Sequence, residues 1–254
     1  MRQVDESAPS QELGEEDVHA LRQFLASLGH LDIRERGGDS LEQLQIGLAN
    51  FQRFYGLKRR DGVLDYETKE AVGWPRCKVQ DVGIAFVAGR MIVLQDCPWG
   101  RDPVVLRYAF HKSAPQHLRS PVESAMRKWE VASKSKISFA ATDLMNADFT
   151  IGWTPVIIPG EHNLCGNFIA HAVFPCEAMA KVVHFDNSEL WAADMAVSSY
   201  NTQAVALHEL GHTLGLMHSD DPDDVMYNRF GVNSTVKLLS NNDKVRLRDL
   251  YKIP

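Results

Sequence analysis

The segment Ala206-Leu207-His208-Glu209-Leu210-Gly211-His212-Thr213-Leu214-Gly215-Leu216-Met217-His218 holds the residues best suited to chemistry. His208 and His212 are four residues apart, which on a helix stacks both imidazoles on one face. Two neutral imidazoles so placed bind one Zn²⁺ at about 2.0–2.1 Å each. Glu209, beside His208, puts a carboxylate within reach of water at that metal, where it acts as a general base. Gly215 accepts a positive φ, so it can end the helix and turn the chain back to bring in His218 as a third nitrogen. Three protein ligands with a fourth position left to water describe a catalytic zinc, not a structural one. A bare His-Glu-x-x-His arises by chance on amphipathic helices. The extended pattern, with Gly at the bend and Met226 in Asp224-Val225-Met226-Tyr227, is far more specific.

This run resembles the metzincin zinc peptidases. His218-Ser219 and Val225-Met226-Tyr227 point within them to the matrixins, the matrix metalloproteinase family. The resemblance implies that Met226 forms a tight turn flooring the zinc site. It also implies a zinc-dependent endopeptidase of α+β class, in which a small three-helix propeptide domain precedes a metzincin catalytic domain. That domain is a twisted mixed five-stranded sheet with three helices.

The bulk numbers permit this. The chain has 254 residues, 44% of them apolar and 24% charged, with a net charge of −6, enough for one large or two smaller packed domains. No basic cluster exceeds Lys58-Arg59-Arg60, which argues against nucleic acid as a partner. No apolar run approaches the roughly 18 residues of a membrane span. The start, Met1-Arg2-Gln3-Val4-Asp5, has no apolar signal core.

Residues 1–16 are polar and acidic, and are read as a disordered N-terminus. Apolar residues then recur at helical spacing in Val18, Leu21, Leu25 and Leu28, and again from Leu41 to Phe54 before Gly56. Asp39 or Ser40 can cap the second helix, with Gln43 placed for a capping box, and Asp65 a third over Tyr66–Val72. Phe51-Gln52-Arg53-Phe54-Tyr55-Gly56-Leu57 followed by Gly62-Val63-Leu64-Asp65 is similar to the peptidoglycan-binding-like module that matrixins carry as a propeptide. The similarity implies the fold of residues 17–73, and not a cell-wall ligand.

Residues 74–83 hold Trp74-Pro75-Arg76-Cys77-Lys78-Val79-Gln80-Asp81-Val82-Gly83. On its own Cys77 reads as a plain buried residue. In this place the segment resembles the matrixin cysteine switch, with Pro75, Arg76, Cys77, Val79 and Asp81 matching. Cys77 would then fill the fourth zinc position in a latent form, and Arg76 would pair with a carboxylate to fix the segment. Lys78 and Gln80 stand where the family has Gly and Pro, so a side chain at 78 would crowd the cleft wall. Residues 84–98 read as an activation linker, with Arg90 a candidate cleavage point, and residues 99–254 as the catalytic domain.

In the catalytic part, Val104–Phe110, Ile137–Phe139 and Ala147–Trp153 alternate as strands, and Pro121 opens a helix with Val122, Ala125, Met126 and Trp129 on one face. The resemblance makes His171 and His184 ligands of a second, structural zinc. The His-x-Asp pair that should complete it is missing: two residues after His162 stands Leu164. Cys165 and Cys176 bracket His171 and could close a disulfide loop in its stead. Asp186 and Glu189 match calcium carboxylates of the family. The strand around Ala170–Ala172 would be the cleft edge that pairs with an extended substrate, and residues after Met226 would wall the adjoining side-chain pocket. A last helix is expected through Val245, Leu247 and Leu250, and no hemopexin-like domain is expected. The implied partners are protein or peptide substrates and proteinaceous inhibitors, for a secreted monomer.

Overall fold

The computed structural model describes residues 14–32, 40–81, 84–87, 90–93, 96–154, 168–177, 181–194, 196–232 and 235–254. The chain divides into two compact units, the break falling between Trp74 and Pro75.

The first unit holds helices α1 (Glu15–Ser27), α2 (Leu41–Phe54) and α3 (Tyr66–Val72). Ser40 caps α2 by accepting from Gln43 N, and Asp65 caps α3 by accepting from Thr68 N, so both starts lie where cap chemistry places them. Phe24, Leu25, Leu28, Leu48 and Phe51 form its interior. Gln52 is buried among them, with Nε2 donating to Val63 O and Thr68 Oγ1 and Oε1 accepting from Gly62 N. Phe51 and Tyr55 are ring neighbours, their centroids 4.7 Å apart, which makes them packing residues.

The second unit begins with β1 (Arg76–Cys77), β2 (Ile84–Val87) and β3 (Arg90–Val93). The last two pair antiparallel, so part of the expected linker is a ribbon. Then come β4 (Val104–Phe110), α4 (Gln116–Ala132), β5 (Ile137–Ala141), β6 (Phe149–Trp153), β7 (Phe168–Ala172), β8 (Val182–Phe185), β9 (Trp191–Ala192), β10 (Tyr200–Asn201), α5 (Thr202–Thr213) and α6 (Asn241–Leu250). The main sheet runs β1-β7-β8-β6-β4-β5. Five of its strands form the expected mixed sheet, β7 being antiparallel to β8 while β8, β6, β4 and β5 are parallel. The sixth, β1, comes from the cysteine segment and lies parallel to β7.

Helix α4 starts at Gln116, five residues before the expected opening at Pro121. Pro121 stands just past the first turn, where its missing N–H removes one helical bond. The apolar face of Leu118, Val122, Ala125, Met126 and Trp129 outweighs that loss, since all five are buried. Helix α5 is buried on nearly every side, as befits an element between a sheet and another helix. Trp129 Nε1 donates to Leu207 O at 2.8 Å, which ties α4 to α5.

Candidate metal centre

Helix α5 presents the first two histidines and its end presents the third. Asn201 caps its start by accepting from Ala204 N at 3.0 Å. At the far end Gly215 has φ +95°, with Gly215 N donating to His212 O at 2.8 Å and Leu216 N to Gly211 O at 2.9 Å. That pair of bonds is a Schellman turn, which needs a residue comfortable at positive φ. It brings His218 back against the other two. The ring centroids lie 4.7 Å apart for His208–His212, 4.7 Å for His212–His218 and 5.2 Å for His208–His218.

The ring orientations are set from behind. His208 Nδ1 lies 2.7 Å from Val225 O and His212 Nδ1 2.7 Å from Leu216 O. Only a protonated Nδ1 bonds to a carbonyl, so each Nε2 carries a lone pair. Those two nitrogens are 3.0 Å apart, an arrangement that repels unless a cation sits between them. His218 Nε2 and Glu209 Oε1 are buried with no hydrogen-bond partner among the described residues. His218 Nδ1 faces Asp81 Oδ1 at 3.4 Å. Donor atoms of Cys77, His208, His212 and His218 all fall within 4.8 Å of one another. Tetrahedral zinc with bonds of about 2.0–2.3 Å spaces its ligand atoms about 3.3–3.8 Å apart. Two imidazoles of fixed tautomer, the His218 imidazole and one thiol therefore fit zinc.

Burial sets the protonation of this group. It pushes the Glu209 carboxyl up to about 8, opposed in small part by the hydrogen bond from Cys77. Burial first, then the neighbouring Glu209, pushes the Cys77 thiol well above its ordinary value. Burial first, then the facing His218, draws His208 and His212 far down, so both rings are neutral. Neutral imidazole is the metal-binding form, and a divalent cation reverses the logic for the thiol by deprotonating it.

The cysteine segment threads between two walls. Lys78 N donates to Ala170 O at 3.0 Å on the β7 side. Cys77 N donates to Asn228 O at 3.3 Å and Phe230 N to Pro75 O at 2.9 Å on the other. Cys77 Sγ reaches Glu209 Oε2 at 3.4 Å and accepts from Val79 N at 3.3 Å. Arg76 and Asp81 are both buried, 3.9 Å apart, and Asp81 also accepts from Asn228 Nδ2. The Lys78 side chain does not crowd the cleft. Its ammonium lies over the Phe168 ring, 5.3 Å from the centroid, a favourable cation–π placement.

Met226 is fully buried under α5, where a Cβ on Gly211 would stand 2.2 Å from its sulfur. Asp243, buried at the start of α6, holds this turn by accepting from Val225 N at 2.9 Å and Met226 N at 3.3 Å. Neither Asp243 nor the Asp81–His218 contact follows from the sequence, because both join residues far apart in the chain.

His171 and His184 sit opposite each other on β7 and β8. Burial first, then His184 and Lys78, lowers His171 to about 4, and burial then His111 lowers His184. Among the described residues they belong to no group of three or more metal-binding side chains. His162 and Cys165 lie outside the described residues. The Cys165–Cys176 loop is not formed, because Cys176 is bonded to Cys97. Asp186 Oδ1 accepts from Ser188 N at 2.8 Å and Ser188 Oγ at 2.7 Å. Burial first, then Asp186, raises the Glu189 carboxyl.

Sequence comparison agrees with this geometry. The Matrixin peptidase model matches residues 99–252, more than half the chain. The chain belongs to the matrixin family. A peptidoglycan binding domain model matches residues 14–72. Mouse stromelysin-1 (Mus musculus) is 31% identical over 214 residues, which cover 82% of this chain and 43% of that protein. Human matrix metalloproteinase-20 (Homo sapiens) is 32% identical over 190 residues, covering 71% and 36%. Bovine interstitial collagenase (Bos taurus) is 28% identical over 261 residues, covering 96% and 51%. This matrixin thus spans about half the length, or less, of those relatives. No described helix is long and apolar enough to cross a membrane.

Proposed function

We propose that the chain is a latent zinc endopeptidase that cleaves extracellular proteins once the segment carrying Cys77 is removed. The observation that carries this reading is the convergence of Cys77, His208, His212 and His218 on one point, with Glu209 beside it. His208, His212 and His218 would hold the zinc, which supplies a Lewis acid for the scissile carbonyl and lowers the pKa of water. Glu209 takes the proton from the attacking water and passes it to the leaving amine. Withdrawal of β1 frees the edge of β7, so an extended substrate adds there as a strand. A cavity of about 140 Å³ beside the cluster is walled by Leu207, Val225, Tyr227 and Phe230. Arg229, Thr235 and Lys237 also line it, and a cavity near this size has room for one side chain of about benzene size. His171 with His184, and Asp186 with Glu189, supply part of the ligand sets for a second zinc and a calcium, which metal analysis counts directly.

The test is activation in a tube. The intact chain is treated with limited trypsin or a mercurial and given a quenched peptide. Cleavage should appear only after treatment and vanish with a zinc chelator. Silence after both treatments, with zinc bound, would overturn the endopeptidase reading in favour of a locked zinc protein.

A further inference from the structure

The turn that carries the chain from His212 to His218 ends a helix, so its carbonyls lack helical partners. Five in succession are nonetheless engaged. Thr213 O accepts from Trp99 Nε1 at 2.8 Å, Leu214 O from the Tyr251 hydroxyl at 2.8 Å and Gly215 O from Cys97 N at 3.0 Å. Leu216 O faces His212 Nδ1 at 2.7 Å, and Met217 O accepts from Arg246 Nη2 at 2.9 Å. On the donor side, Met217 N gives its hydrogen to Asp96 Oδ1 at 2.9 Å. Asp96, Cys97 and Trp99 make three of these bonds. They lie so close that a Cβ on Gly215 would stand 2.1 Å from Cys97 O.

This short strap is itself tied down. Cys97 is disulfide-bonded to Cys176 in the turn after β7. Phe174, two residues earlier, packs on the His212 ring with centroids 5.3 Å apart. At its other end Trp99 N donates to the Tyr251 hydroxyl at 3.3 Å. One covalent bond therefore joins the segment that grips the His218 bend to the turn that packs on His212.

We propose that residues 96–99, fastened by the Cys97–Cys176 disulfide, are a positioning clasp for His218 that slows metal loss from the activated enzyme. The proposal rests on the reading of His218 as a zinc ligand. It also limits activation: a productive cut falls before Asp96, because a cut between Cys97 and Trp99 splits the clasp and leaves the segment carrying Cys77 tethered to Cys176 through the disulfide. Arg90 satisfies this condition.

The test uses the activated protein and three variants: Cys97→Ser with Cys176→Ser, Trp99→Phe, and Val122→Ala in the core face of α4 as a control for general destabilisation. Each is loaded with zinc, its stoichiometry is measured, and release to a chromogenic chelator is timed alongside thermal melting. The same zinc content, at least one ion per chain, is expected in all four proteins. Outer contacts to metal ligands are commonly worth about 10–100-fold in metal affinity. Release should quicken by about that factor in the double variant and by less in Trp99→Phe, while Val122→Ala releases like the parent despite a lower Tm. Parent-like release from the two clasp variants, or equal quickening in Val122→Ala, overturns the clasp. If the double variant does not fold, Trp99→Phe alone decides. A parent without stoichiometric zinc overturns the metal reading itself, and the clasp with it.

Discussion

Replacing Glu209 by Gln leaves zinc bound to the activated enzyme and lowers kcat by about 10²–10⁴-fold, the usual contribution of a positioned proton-transfer group. The side chain is fully buried, and one of its oxygens has no hydrogen-bond partner among the described residues. Gln has nearly the same shape, so packing survives, but it cannot accept a proton. Zinc content is unchanged because the carboxylate lies outside the donor set of three imidazoles and a thiol. The readouts are initial rates on a quenched peptide and zinc per chain. A Glu209→Gln enzyme that turns over at the parent rate contradicts the role given to this carboxylate. One that loses its zinc makes Glu209 a metal-site residue and not a base.

Cys77→Ala should make the intact chain active without any cut. Structural zinc sites with four ligands contribute about 10–16 kcal/mol in all, so one ligand is worth about 3 kcal/mol. Its loss shifts the closed-to-open balance by about 100-fold. Activation stays incomplete because the backbone of the segment still pairs with Ala170 on one side and Asn228 on the other. Rates are taken on freshly purified chain, with mass spectrometry to show that it is uncut. A second preparation carrying Glu209→Gln as well, which cannot cut itself, sets the baseline. If intact Cys77→Ala stays silent while its trimmed form matches the trimmed parent, the thiol is not what holds the enzyme off.

The features legible in the sequence were those written locally. His208, Glu209, His212, Gly215 and His218 lie within eleven residues, and helix period plus one glycine places them. Cap chemistry with apolar periodicity narrowed the start of α2 to Asp39 or Ser40, of which Ser40 is the cap, and gave Asp65 for α3. What escaped depends on distant partners. The disulfide joins residues 79 apart in sequence, and proximity along the chain suggested the nearer Cys165. Pro121 reads as a helix start because proline favours first turns, yet the buried face of α4 carried the helix back to Gln116. Asp243 stands in the first turn of α6, and its carboxylate also holds the Met226 turn, a contact that no local pattern announces. Packing across the fold decides such cases, and no local pattern encodes it.

The most direct measurement of the central claim is zinc K-edge X-ray absorption on the intact chain and again after activation. The account predicts stoichiometric zinc with three nitrogen neighbours at about 2.0–2.1 Å and one sulfur at about 2.3 Å, the sulfur vanishing once Cys77 is cut away. Intact protein whose zinc shows no sulfur neighbour, or which holds no stoichiometric zinc, contradicts it.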